Sequence, residues 1–161
     1  MKVLFSLLTL ACYIIGQGQD AFVQLSDLEI LDNTKWTGQL TYKDYQSGEW
    51  TPIDATMQIS IKGNTIKTVI QYSYEPHKNR TSKLKLKNGG TYYGNERVVS
   101  NEVLNGFRII KTMFKEKDNN RAATLFITHK FNKNSYSITK DVLYDDSSKS
   151  ITRNRYQFTK L

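Results

Sequence analysis

His77 and His129 are the only imidazoles in this 161-residue chain, and neither has a cluster of carboxylates close to it in sequence. A zinc site needs three or four ligands at workable spacing, so no metal or cofactor is expected. His77 falls in the breaker run Glu75-Pro76-His77-Lys78-Asn79, which places it in a solvated loop. His129 shares alternating parity with Ala123, Leu125 and Ile127, which points it towards an interior. Asp145-Asp146 lacks a third oxygen ligand at calcium-loop spacing. No Gly-x-Ser-x-Gly, His-Glu-x-x-His or phosphate-cradling glycine loop occurs. An enzyme would have to be built on His129 or on a carboxylate with a strongly perturbed pKa. The expectation is a non-enzymatic binder.

Binding chemistry is better supplied. Ten tyrosines are present, among them Tyr42, Tyr72, Tyr74, Tyr92, Tyr93, Tyr136 and Tyr144. Tyrosine rings on an inner face suit a ligand that is apolar with a few polar atoms. Trp36, Tyr42, Met57, Tyr72, Tyr74, Tyr92 and His129 are the predicted lining. The competing reading is that tyrosine is a favoured strand residue that covers a sheet face or rim. Lys83, Lys85 and Lys87 form a basic stripe, with Lys78 and Arg80 just upstream. Such a stripe is either an anion-binding surface or a set of charges guarding a strand edge.

Charge is distributed unevenly. Residues 19–61 hold two basic side chains (Lys35, Lys43) against seven acidic ones, and residues 62–161 hold twenty against eight. The polarised surface this implies attracts anions: lipopolysaccharide, acidic glycans or phospholipid head groups. Nucleic acid is the least expected partner of an exported chain.

Export is itself read from the first residues. Lys2 is followed by an apolar run from Val3 to Ile15, and Gly16-Gln17-Gly18 offers small residues at a cleavage site before Gln19. Residues 1–18 therefore read as a signal peptide, too short for a stable membrane span. The destination is the periplasm or the exterior. Leu10-Ala11-Cys12 partly matches a lipobox, so lipid anchoring through Cys12 is the lesser alternative. Cleavage after Gly18 leaves no cysteine, hence no disulfide, and stability must come from the core. Asn79-Arg80-Thr81 is a glycosylation sequon, relevant only in a eukaryotic source.

Residues 19–161 are the length of one domain. Ser26-Asp27-Leu28-Glu29 matches a capping box, which predicts one short helix before Asn33. Lys35-Trp36-Thr37-Gly38-Gln39-Leu40-Thr41-Tyr42 then alternates as a half-buried strand, and Ser47-Gly48 turns it. The same rhythm continues through Thr51–Lys62, Thr65–Tyr74, Ser82–Lys87, Thr91–Val99, Gly106–Lys115, Ala122–Phe131, Ser135–Tyr144 and Ile151–Lys160. About nine strands in meander order must hide one apolar face. An all-β, up-and-down antiparallel barrel does so without leaving edges. A two-sheet sandwich is the alternative.

A short helix, then Trp36-Thr37-Gly38 at the first strand, then a meander resembles the calycin group, the lipocalins and small exported bacterial lipocalin-like proteins among them. Lipocalins place Gly-x-Trp at that strand; here Thr34 stands where the glycine would be. The resemblance implies a late basic side chain stacked over Trp36, with Arg153 or Arg155 in that structural role. It implies the fold without an activity, and it makes His129 the one residue to nominate where some such proteins hold haem. On parity alone, Tyr156 and Phe158 would face the core and both arginines the solvent.

Overall fold

A computed structural model of the chain describes residues 21–161. The expected signal peptide and Cys12 lie outside the described residues. Ten antiparallel strands close into one up-and-down barrel in which each strand pairs with its neighbours in sequence. They are β1 (Thr34–Lys43), β2 (Trp50–Lys62), β3 (Thr65–Tyr72), β4 (Arg80–Lys87), β5 (Tyr92–Tyr93), β6 (Glu96–Leu104), β7 (Phe107–Asp118), β8 (Arg121–Phe131), β9 (Ser135–Tyr144) and β10 (Ile151–Lys160). The closing seam runs from Trp36↔Lys160 to Tyr42↔Asn154. A closed wall, and not a two-sheet sandwich, hides the apolar face.

Gly38 makes the seam possible. A Cβ at this position would stand 1.9 Å from the carbonyl oxygen of Gln157, so only glycine lets β1 approach β10 this closely. The tenth strand arises where one weak strand was expected. Gly94-Asn95 reverses the chain after two residues, splitting that stretch into β5 and β6. Because β5 pairs only Tyr92 and Tyr93, residues 80–84 of β4 and 114–118 of β7 have ladder partners on one side alone. The wall is lowest there.

The expected N-terminal helix is replaced by two single 3₁₀ turns, Leu25–Asp27 and Glu29–Leu31. Leu25, Leu28 and Leu31 recur every third residue, the period of a 3₁₀ turn, and a segment this short cannot hold an α-helix by propensity. Ser26 does not cap; the backbone N–H of Gln24 donates to Asp27 Oδ2 instead, at 2.9 Å. Val23, Leu28 and Leu31 are nevertheless buried, and they plug the end of the barrel from which β1 rises. The Val23 N–H bonds the Gly90 carbonyl at 2.9 Å, and Arg108 pairs with Asp27 at 3.0 Å. Asn101 completes this latch by donating from Nδ2 to the Phe22 carbonyl and to Asp27.

Candidate functional site

Strand parity sends Thr34, Trp36, Leu40 and Tyr42 of β1 inward, with Ala55, Met57 and Ile59 of β2 and Ile66, Ile70 and Tyr72 of β3. Trp36 is wholly buried beside Tyr136, whose ring meets it edge-on at 5.9 Å. Its Nε1–H donates to the Thr34 hydroxyl at 2.7 Å, and that hydroxyl donates to the Leu31 carbonyl at 2.6 Å. The residue standing in place of a glycine thus satisfies the buried indole. Trp36 and Met57 belong to the packed core and not to an open lining.

Neither Arg153 nor Arg155 stacks on Trp36, which corrects the sequence expectation. The β9–β10 register slips between Thr152 and Asn154, and this bulge turns Arg153 inward at the opposite end of the barrel. There its guanidinium lies 3.8 Å from the centroid of the Tyr45 ring. Arg155 stays in step with Thr41 on the outer face and is exposed.

Arg153 is the centre of a polar clasp. Its Nη2 lies 3.2 Å from Asp118 Oδ2 and 3.1 Å from the Tyr144 hydroxyl, and Nη1 donates to the Lys43 carbonyl. Tyr45 and Tyr144 both donate to Asp118 at 2.8 Å, and Lys140 Nζ stands 3.4 Å from it. Burial pushes the Asp118 carboxyl up, but the two phenol bonds and the Arg153 and Lys140 charges outweigh it and hold it below the usual range. The Tyr45 hydroxyl is raised to about 12, by burial first and then by its bond to Asp118. Through Tyr45 the clasp ties the β1–β2 loop across the barrel to β7.

Beside the clasp opens a cavity of about 370 Å³. Lys43, Lys78, Arg80, Lys140 and Arg153 rim it against a single carboxylate, Glu75, with Leu40, Ile53, Tyr42 and Tyr72 below. Lys78 pairs with Glu75 at 3.2 Å, whereas Arg80 and Lys43 have no carboxylate partner among the described residues. Arg80 Nη2 instead donates to the Tyr156 hydroxyl at 3.2 Å, which shares a 2.7 Å hydrogen bond with Tyr72. Burial raises the Tyr156 hydroxyl well above its ordinary value, so it remains a neutral phenol at physiological pH. The Nε of Arg153 is buried without a partner. The mouth is therefore cationic, hydroxyl-rich and apolar beneath.

Tyr42 and Tyr72 border this mouth as predicted residues of the inner face. Tyr74 does not: β3 ends at Tyr72, and Tyr74 stands 81% exposed in the following loop. Tyr92 faces outward opposite Lys87 and Arg97, so Tyr93 supplies the inward ring at β5. His129 does point inward and bonds Tyr136. Lys83, Lys85 and Lys87 lie exposed along the outer face of β4, with Lys67 directly opposite Lys83. Sequence reasoning missed Arg153, Asp118 and Tyr45 as one unit. A bulge carries no residue-type mark that would have united them.

Among the described residues, no group of three or more His, Cys, Asp or Glu side chains could hold a metal ion, and no helix is long and apolar enough to cross a membrane. No protein-family model matches the chain, and no curated protein matches it. Among solved structures, the chain is similar to a protein of unknown function from the DUF3598 family of Nostoc punctiforme. The identity is 7% and the TM-score 0.37, over 88% of this chain and 50% of that one. The chain thus spans half the length of that protein.

Proposed function

We propose that the protein is an exported, lipocalin-like, non-enzymatic carrier that takes a small, partly apolar anion through the cationic mouth of its barrel. The carrying observation is the mouth itself: five cations and one carboxylate surround a cavity floored by Leu40, Ile53 and tyrosine rings. A hydrocarbon tail leaves water against that floor, contributing about 25 cal/mol for each Å² of apolar surface removed. The head group meets Arg80 and Lys43, which no carboxylate among the described residues neutralises. Phenol hydroxyls of Tyr72 and Tyr156 orient it.

The test compares three probes of equal chain length on delipidated protein by calorimetry: dodecanoate, dodecanol and dodecyltrimethylammonium. Dodecanoate is expected to bind tightest and the cation not at all, with Arg80→Gln weakening dodecanoate about tenfold. Equal affinity for all three, or none for any, overturns the reading.

The exposed lysines of β4 support a second reading, in which the outer wall engages an anionic envelope component. Lys67 and Lys83 face each other with no intervening acid in the ladder, a pairing that an external anion would relieve. Binding of anionic vesicles that collapses as salt rises, and that survives Arg80→Gln, would favour it over the mouth.

A further inference from the structure

Nearer the plugged end lies a second set of inward polar atoms that the mouth does not use. His129 Nδ1 shares a 2.9 Å hydrogen bond with the Tyr136 hydroxyl. The Tyr93 ring stands edge-on to the imidazole, 5.5 Å between centroids and 88° between planes. Glu96 is the cross-strand partner of Tyr93 and accepts a hydrogen bond from Thr112 on Oε2. Thr112 is fully buried two residues along β7 from Ile110, which faces His129 across the ladder. Three strands and a two-residue ribbon therefore bring an imidazole, two phenols and a carboxyl to one place inside the wall.

Each of these groups has an atom left over. His129 Nε2, the Tyr93 hydroxyl and Glu96 Oε1 make no hydrogen bond. Yet the Nε of Arg153 is the one buried side-chain polar atom without a partner among the described residues. The other three unpartnered atoms therefore keep accessible surface although they point into the barrel. On the inner face Leu84, Leu86, Ile127 and Ile138 are half-buried as well, whereas Ile110, Thr112 and Phe131 beside them are sealed. The low wall at β5 lies against the same region. An internal space with unspent donors and acceptors accounts for all of this.

We infer that this space receives a neutral hydroxyl or oxo group carried part-way along the ligand's chain, so that the occupant is a hydroxylated or oxo-substituted amphiphilic acid and not a plain hydrocarbon acid. The inference rests on the mouth reading above for the acid head, and adds the second polar group. His129 and Tyr93 supply a donor and an acceptor in either histidine tautomer: Nε2 carries the proton when Tyr136 donates to Nδ1, and accepts when it does not. Burial pulls the His129 pKa down to about 4 and pushes the Glu96 carboxyl up. Both trends disfavour charge at this place, which suits an uncharged partner group. Ile138 faces His129, and Lys140 of the rim lies two residues further along β9, a rise of about 7 Å along the wall. One molecule spans both places.

The experiment is a positional series titrated into the full barrel: octadecanoate against its 3-, 6- and 12-hydroxy forms, and octadecanol against octadecane-1,12-diol and octadecane-1,6-diol. At least one hydroxylated acid is expected to bind about tenfold tighter than octadecanoate, as two neutral hydrogen bonds provide. Tyr93→Phe and His129→Phe should erase that preference, so that hydroxylated and parent acids bind each variant equally, and a native near-ultraviolet circular dichroism spectrum identifies the folded variants. Equal binding by parent and hydroxylated acids overturns the inference and spares the mouth. If no acid binds, the mouth reading falls, and the alcohol series decides alone: a diol preference that Tyr93→Phe removes sustains the polar station, and its absence ends it.

Discussion

The two ends of the barrel are closed by different chemistry. At the plugged end, Val23, Leu28, Leu31 and Trp36 fill the opening with buried hydrocarbon and one satisfied indole. At the mouth, Asp118, Arg153, Tyr144, Tyr45 and Lys140 fasten one side with charge-assisted hydrogen bonds and leave the other side open. Apolar packing is strong, non-directional and indifferent to pH. A charged clasp is directional and fails when its acid is neutralised.

The contrast breaks most sharply at Trp36. Trp36→Ala should destabilise the protein by about 4 kcal/mol in urea unfolding, because the vacated volume cannot refill from a rigid wall. Relative preference among anionic, neutral and cationic probes should persist in whatever fraction folds. Asp118→Asn attacks the other end. Arg153, only 8% exposed, would lose its counter-charge, and a loss of about 3 kcal/mol is expected by the same measurement. Dodecanoate affinity should rise here, since the freed cation faces the cavity. A fall would show that the clasp holds the mouth in shape more than it competes with the ligand.

Titration separates the ends more finely. The folded pKa of His129 lies near 4, below its ordinary value of 6.5. The unfolded chain therefore takes up a proton first, and stability falls as pH drops from 6.5 towards 4. The loss is about 2 kcal/mol after allowance for the surface the ring retains, and His129→Phe should flatten this limb of the stability curve. Asp118 has a folded pKa below the ordinary carboxylate value, so its contribution is complete above that value and vanishes as pH falls through the lower one. Acid should accordingly disturb the interior near the plug before it releases the clasp. The smallest effect belongs to Tyr45→Phe, which deletes one bond to Asp118: about 1 kcal/mol in unfolding, with faster amide exchange confined to residues 44–49.

The meander was legible because its turns are written in residue types. Gly63-Asn64, Asn119-Asn120 and Asn132-Lys133-Asn134 punctuate alternating runs, and positive φ at Gly63, Asn119 and Asn120 is what those residues tolerate. The reversal at Gly94-Asn95 went unseen because a two-residue strand has no alternation to display. The leucine spacing before β1 fits a 3₁₀ turn as well as an α-helix, and packing against the barrel end decided between them. The site was less legible than the fold. Parity placed Tyr42, Tyr72 and His129 on the inner face, but Arg153 owes its direction to a register slip that leaves no compositional trace. Tyr45, in a loop, reaches Asp118 across a sequence separation of 73 residues, which no local pattern encodes.

That slip at Arg153 also makes the last strand editable. Removing Thr152 would restore even pairing and set Arg153 opposite Asp141 on the outer face while Ile151 stays opposite Val142, trading an enclosed guanidinium for an outward one without changing any neighbour's identity. Insertions and deletions, more than substitutions, would then be the natural currency by which such a barrel acquires or discards a charge inside.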